Sequence, residues 1–327
     1  MVTEPVDVTI AIVNWNTREL LSACLRSLTP GLGRLHAKTI VVDNASEDGS
    51  RAMLAREFLS VTTLCNQANL GYAHGNNQAL AIAEGRYFLL LNPDTVVRPG
   101  AIECMADYLD AHPGAVGTTC TLRNLDGSFQ CYYKRLPTWR YIAATHTVLR
   151  ALWPDNRWVR EFYMIDERFD VARPIEQPAA ACLMLRREKL PVEGLFDERF
   201  PIFFNDIDLC RQLKDRGETI WFVPEPEVMH HGSGGGVGAM KDQAIIDYLI
   251  AWIRYVRKQD GLICSGFCWV GMVLNAVLVL LSGVLQVVSG KRSSEWLTHE
   301  WRRYWRLIRG QATFHYPSTL VPTVPKW

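Results

Sequence analysis

Four short β-rich runs, DVTIAIV, AKTIVVD, VTTL and RYFLLL, alternate with TRELLSACLRSL, GSRAMLAREF and AHGNNQALAIAEG, whose apolar residues recur at helical spacing, all within the first 120 residues. No other feature restricts the fold as much. Segments of period 2 and period 3.6 in alternation build a mostly parallel sheet with helices on both faces. In such sheets ligands bind beyond the carboxyl ends of the strands. The residues to inspect are therefore Asn14-Trp15-Asn16, Asp43-Asn44-Ala45-Ser46, Asn66 to Gly71 and Asn92-Pro93-Asp94. Asn and Asp are ordinary turn and helix-cap residues, and any one of these strand ends reads equally well that way. Four of them on one edge of one sheet favour a site.

At 327 residues and 48% hydrophobic content the chain can bury a large core, as one domain or a domain with an appendage. A net charge of +1 gives no basic domain for nucleic acid to bind. The nine cysteines include no CxxC pair and no zinc-finger spacing, which fits reduced thiols in a cytosolic compartment. The opening MVTEPVDVTIAIV has no basic region before its apolar run, so it is not expected to act as a secretory signal.

The second block is less regular. AVGTTCTLRNLDGSFQCYY predicts a hairpin turning at Asp126-Gly127, FPIFFNDIDLCRQLKDRG a helix after an aromatic run, and EVMHHGSGGGVG a histidine pair entering a glycine-rich loop. Residues 261–290 contain no Asp, Glu, Lys, Arg or His and pass the length test for a membrane span. A spanning helix, a helix dipping into one leaflet and a helix buried on its own protein all remain open. In SEWLTHEWRRYWRLIRG a helix sets Trp296, Trp301 and Trp305 on one half and Arg302, Arg306 and Arg309 on the other, the pattern of an interfacial helix drawn to anionic lipid. Arg254, Arg257, Lys258, Lys291 and Arg292 flank the apolar run, which fits attachment from the cytoplasmic face of the inner membrane, peripheral or monotopic. The expected division is 1–240 as the catalytic part, split into a nucleotide-binding half (1–120) and an acceptor-binding half (121–240), and 241–327 as a helical membrane-associating region.

Taken together, VTIAIVNWN, IVVDNASEDGS, NLGYAHGNNQAL, LLLNPDT, DERFPIFFNDIDLCRQLKDRG and VMHHGSGG resemble the ordered signatures of the GT-A fold, family 2 inverting glycosyltransferases, closest to the bacterial rhamnosyltransferase branch that acts on lipid-linked sugars. The resemblance covers roughly residues 7 to 235. It implies an α/β GT-A sheet and a nucleotide-sugar donor, dTDP- or UDP-linked, with L-rhamnose from dTDP-rhamnose as the first candidate. The implied acceptor is a lipid-linked saccharide and the implied cofactor Mg²⁺ or Mn²⁺.

Such a donor loses a nucleoside diphosphate, and a hard divalent cation held by one or two carboxylates neutralises the charge that builds there. By resemblance Asp94 is the metal ligand and Asn92 lines the same loop, where the family often has Asp-x-Asp. One of His230 and His231 supplies a late metal or diphosphate contact, and the motif alignment favours His230. Asp206, second in the Asn205-Asp206 pair that opens a helix, is the implied base; Asp208, two positions on, points elsewhere. Val13, Asn14, Asn16, Asp43 and Asn44 are expected around the nucleobase, and Asn69, Gly71 and Asn77 near ribose and phosphate. Glycines 232–238 are expected to form a lid or a plain linker. Arg123, Gln130, Tyr133 and Arg135 are expected to dock the acceptor's diphosphate.

Overall fold

The computed structural model describes residues 5–146, 149–153, 156–178, 180–191, 194–232 and 241–309. The backbone divides into two units, one from the described residues of Met1–Lys134 and Glu167–Met240, the other from those of Arg135–Asp166 and Lys241–Phe314.

The first unit is built on one nine-stranded sheet. Its first strands, β1 (Val8–Asn14), β2 (Ala37–Asp43), β3 (Thr62–Cys65) and β4 (Tyr87–Leu91), run parallel in the order β3-β2-β1-β4. Helices α1 (Arg18–Leu32), α2 (Ser50–Glu57) and α3 (Gly71–Ala81) connect them. This is the alternation expected from the periodicity. The chain winds outward from β1 to β3 and returns to β4 on the other side of β1, so the direction of winding switches between β1 and β4, where a ligand crevice opens in such sheets.

After β4 the chain makes β5 (Thr95–Val97), α4 (Ala101–Ala111), β6 (Ala115–Arg123), β7 (Arg173–Ile175), β8 (Cys182–Arg186), α8 (Asn205–Asp215) and β9 (Thr219–His230). The sheet continues β4-β8-β6-β9-β5, with β8 antiparallel to both neighbours and β5 antiparallel to β9. Alternate residues of each strand face opposite sides. Val8, Ile10 and Ile12 of β1 and Tyr87, Leu89 and Leu91 of β4 join Leu21, Leu28, Met105 and Leu109 of α1 and α4 in one core. Val13, of the other parity, meets α3, and a Cβ on Gly75 would lie 2.9 Å from a Val13 methyl, so glycine lets the helix sit close.

The predicted hairpin after β6 is only half formed. The turn is present, with Gly127 N–H donating to Asn124 O, but the return arm keeps a single antiparallel bridge, Arg123 to Phe129. Both edges of β6 are taken, by β9 along Ala115–Arg123 and by β8 at Gly117–Thr119, which leaves only its last residues to pair with a returning arm. Sequence patterning does not show that competition.

The second unit is helical: α5 (Trp139–His146), α6 (Leu149–Leu152), α7 (Arg157–Phe162), α9 (Lys241–Gln259), α10 (Gly261–Val288) and α11 (Ser294–Ile308). Its aromatic core joins distant parts of the chain, with Tyr141 lying on Trp252 at 5.5 Å and Trp139 edge-on to Phe267 at 6.0 Å.

Candidate active site

The polar strand ends are brought together. Asn14 Nδ2 donates to Asp43 Oδ2 (2.8 Å) and to Ser46 Oγ (3.1 Å), while Asn14 Oδ1 accepts from Thr17 Oγ1. The other Asp43 oxygen accepts from Ser46 N–H (3.0 Å) and Arg51 Nε (2.6 Å). Asn16, with φ 51°, donates its N–H to Ser46 Oγ and accepts from Glu47 N–H. Asn44 donates to Gly71 O (3.1 Å), Asn66 donates to Asn44 Oδ1, and Asn69 Oδ1 accepts the Gly71 N–H. The loops after β1, β2 and β3 therefore form one hydrogen-bonded rim. Asp43 is fully buried and three donors occupy its carboxylate, so its first role is to order this rim.

The metal end depends on a pairing that local pattern does not show. Thr95 of β5 lies opposite His230 of β9, and His231 N–H donates to Asp94 O, which sets His230 beside the β4 loop. His230 Nε2 faces Asp94 Oδ1 at 3.4 Å, and both side chains are buried. Gln130 fixes which nitrogen of the neutral ring carries the proton. Its amide nitrogen donates to His230 O (3.2 Å) and Asn124 Oδ1 (2.7 Å), leaving Oε1 to accept from His230 Nδ1 at 2.8 Å. With the proton on Nδ1, Nε2 carries a lone pair toward a carboxylate oxygen. Asn92 Nδ2 lies 3.5 Å from the same nitrogen. Two buried acceptors facing each other suit a cation between them. One carboxylate and one imidazole fit a divalent ion that takes its other ligands from phosphate and water. Among the described residues no cluster of three or more His, Cys, Asp or Glu side chains exists, so further ligands would come from the substrate side. Of the histidine pair, it is His230 whose ring faces Asp94; the glycine-rich run 233–238 lies outside the described residues.

Asp206 sits in the first turn of α8. The residue before the helix, Phe204, is buried with φ 70°, a left-handed conformation costly for a bulky side chain and typical of strained functional segments. Asp206 Oδ1 accepts from Ile207 N–H (2.8 Å), while Asn205 Nδ2 donates to Ile202 O and Asn205 Oδ1 caps the Asp206 N–H. Loss of hydration raises the Asp206 carboxyl above the usual carboxylate range, opposed by the Ile207 N–H and the charge of Lys134. Asp208 is buried and accepts from Gln212 on its own helix.

A phenol links the two ends. Burial raises the pKa of Tyr72, and the negative charges of Asp206 and of Asp94 raise it further, so the same side chain lies within the field of both carboxylates. Its hydroxyl donates to Ala180 O at 3.2 Å. The two acids that the sequence selected from distant segments thus both act on Tyr72.

The other expected residues have partners within the protein. Asn77, expected near ribose and phosphate, uses its amide on the backbone of Phe196, 2.9 Å to both O and N–H, and so fastens α3 to the loop leading into α8. Tyr133, expected to dock an acceptor, is 1% exposed, packs on Phe169 and Phe222, and donates to Cys120 O; it is a core residue. Arg123 is paired with Glu227. Gln130 is buried and bonded to His230. Arg135 opens the second unit, its N–H donating to Phe162 O. Sequence reasoning missed Tyr72, Arg51 and Tyr132, whose ring meets His230 edge-on at 5.8 Å. Tyr72 stood inside the quoted NLGYAHGNNQAL, and Arg51 directly after IVVDNASEDGS.

The family model described as Glycosyl transferase family 2 matches residues 9–190. The chain is 29% identical over 204 residues to N-acetylglucosaminyl-diphospho-decaprenol L-rhamnosyltransferase of Mycobacterium tuberculosis, covering 59% of this chain and 66% of that protein, just under two thirds of its length. It is 24% identical over 170 residues to rhamnosyltransferase WbbL of Escherichia coli, covering 49% and 61%. In fold it is similar to mannosyltransferase PcManGT from Pyrobaculum calidifontis in complex with GDP-Man and Mn²⁺, with a TM-score of 0.51, 14% identity, and coverage of 94% of this chain and 88% of that one.

Proposed function

Because the chain belongs to glycosyl transferase family 2, we propose that it transfers a sugar, with inversion, from a nucleotide-sugar to a hydroxyl of a polyprenyl-diphosphate-linked saccharide. The observation that carries this reading is the buried pair of Asp94, in the loop after β4, and His230, 3.4 Å apart, together with the action of both Asp94 and Asp206 on Tyr72. The acceptor hydroxyl attacks the anomeric carbon from the side opposite the diphosphate. Its oxygen forms the new bond, its proton passes to Asp206, and the old carbon–oxygen bond breaks with its electron pair leaving on the nucleoside diphosphate. Asp94 and His230 are the residues that would hold Mg²⁺ or Mn²⁺, and a bound ion supplies charge neutralisation at that departing diphosphate. Gln130 keeps the His230 lone pair turned toward the metal position.

L-Rhamnose is the sugar supported by the names of both bacterial relatives, and a dTDP donor is the form of it proposed here. A lipid-linked acceptor agrees with the name of the mycobacterial one and with the apolar helix α10, and both support attachment to a membrane, which this reading assigns to the cytoplasmic face. The test is transfer by the purified full chain from a panel of dTDP- and UDP-sugars to a polyprenyl-diphosphate-linked N-acetylglucosamine. Transfer of rhamnose that stops on chelation and returns with Mg²⁺ or Mn²⁺ is expected. Transfer of a different sugar would replace the donor assignment, and undiminished turnover in both Asp94→Ala and Asp206→Ala would remove the mechanism.

A further inference from the structure

The 28 residues of α10 make a helix about 42 Å long, enough to cross a bilayer or to lie along one. One side of it is covered within its own unit. Ser265, Cys268, Met272, Ala276 and Gly283 are buried where α10 packs on α5, α9 and α11. The other side is an uninterrupted apolar stripe, with Ile263, Phe267, Leu274, Leu281, Leu285 and Val288 each more than half exposed, from 53% at Leu274 to 89% at Ile263. A continuous apolar face of this length marks an interaction surface.

We propose that this unit docks in the plane of an anionic membrane, with α10 lying in one leaflet, its stripe toward the acyl chains, and never crossing. The decisive element is α11. It folds back on the second half of α10 so closely that a Cβ on Gly283 would lie 2.9 Å from the Trp296 ring and 3.0 Å from a Leu297 methyl. α11 carries exposed Arg302, Arg306 and Arg309, and α9, packed on both α10 and α11, ends in exposed Arg257 and Lys258. If α10 spanned, these packed helices would enter the hydrocarbon with it, and cations are strongly excluded there. Lying in the plane, the same residues fall at the depth that suits them. Trp301 and Trp305, stacked at 5.3 Å and both exposed, form an aromatic pair of the kind found at headgroup level, and Arg309 lies 4.7 Å over the Trp305 ring. The neighbouring arginine row complements anionic phosphates.

This inference rests on the membrane attachment proposed above but not on the sugar chemistry. Flotation of the full chain with sealed phosphatidylcholine vesicles, with and without phosphatidylglycerol, tests the surface. Binding that needs the anionic lipid is expected, and Arg302→Gln/Arg306→Gln/Arg309→Gln together should weaken it about a hundredfold. No flotation with either lipid would overturn attachment itself, whatever the transferase activity. For topology, Arg257→Cys and Lys291→Cys are introduced separately, one at each end of α10, in a chain whose exposed Cys65 and Cys131 are serine. Each is then challenged with an impermeant maleimide in inverted membrane vesicles and in spheroplasts. Both should react from the cytoplasmic side. Reaction from opposite sides would show that α10 crosses and would overturn the in-plane arrangement while leaving attachment intact.

Discussion

Asp206 is suited to take a proton because of its surroundings rather than its residue type. Its raised pKa brings a carboxylate nearer the operating range of a general base, so the acidic limb of kcat/KM should fall above that of an ordinary aspartate. Asp206→Asn is expected to lower kcat/KM by about 10²- to 10⁴-fold with donor affinity retained, measured by steady-state kinetics and donor titration. The stability effect has the opposite sign. An acid whose folded-state pKa exceeds its unfolded value contributes stability at low pH that is lost as pH rises through the folded value. Asp206→Asn should therefore be more stable than the parent at neutral pH, with the difference vanishing in acid, as urea unfolding at two pH values would reveal. At the metal end, Gln130→Leu removes the acceptor for His230 Nδ1 and should weaken Mn²⁺ binding about 10- to 100-fold in a paramagnetic-resonance titration with donor present. Equal affinity in the variant would deny Gln130 that role. At this scale the sequence was informative about Asp94, Asp206 and His230, because motif order selected them. It named Gln130 as an acceptor contact and not as the partner of His230, because that bond exists only through a fold that returns β9 to it.

The elements are positioned by a few close approaches. Gly71 begins α3 with φ 86°, and an added Cβ would lie 2.7 Å from Pro201 O, the carbonyl that accepts the Ala73 N–H. The same joint carries the Asn77 amide and the His74–Glu198 pair at 2.9 Å, so α3 and the segment entering α8 move as one piece. Gly71→Ala should cost about 1–2 kcal/mol from the backbone alone, before the clash, and should also raise the donor KM because Asn44 is hung from the Gly71 carbonyl. Thermal unfolding with parallel kinetics checks both. The strands and helices themselves were legible in hydrophobic period, and α8 was legible in the polar pair that opens it. The failed half of the β6 hairpin and the β5–β9 pairing were not, since each depends on which strand edge a distant segment has already taken.

Across the whole molecule, the chain leaves its helical unit after Asp166 and re-enters it at Lys241. Tyr141 and Ile142, on the early excursion, are buried in that unit, where Tyr141 lies on Trp252 of α9. Deleting 241–327 should therefore uncover this aromatic face and yield a protein that binds a hydrophobic dye and aggregates, rather than a cleanly soluble catalytic fragment; dye fluorescence and size-exclusion chromatography decide it. A linear reading divides the chain once, near residue 240, because composition changes there. Period and composition alone determined a parallel sheet with polar strand ends and an apolar, arginine-flanked tail, since those properties are carried by neighbours along the chain. The meeting of Asp94 with His230, the loss of hydration that lifts Asp206, the Gln130 bond that turns the histidine lone pair and the folding back of α11 were decided only in three dimensions, because each depends on atoms brought close from segments far apart in sequence.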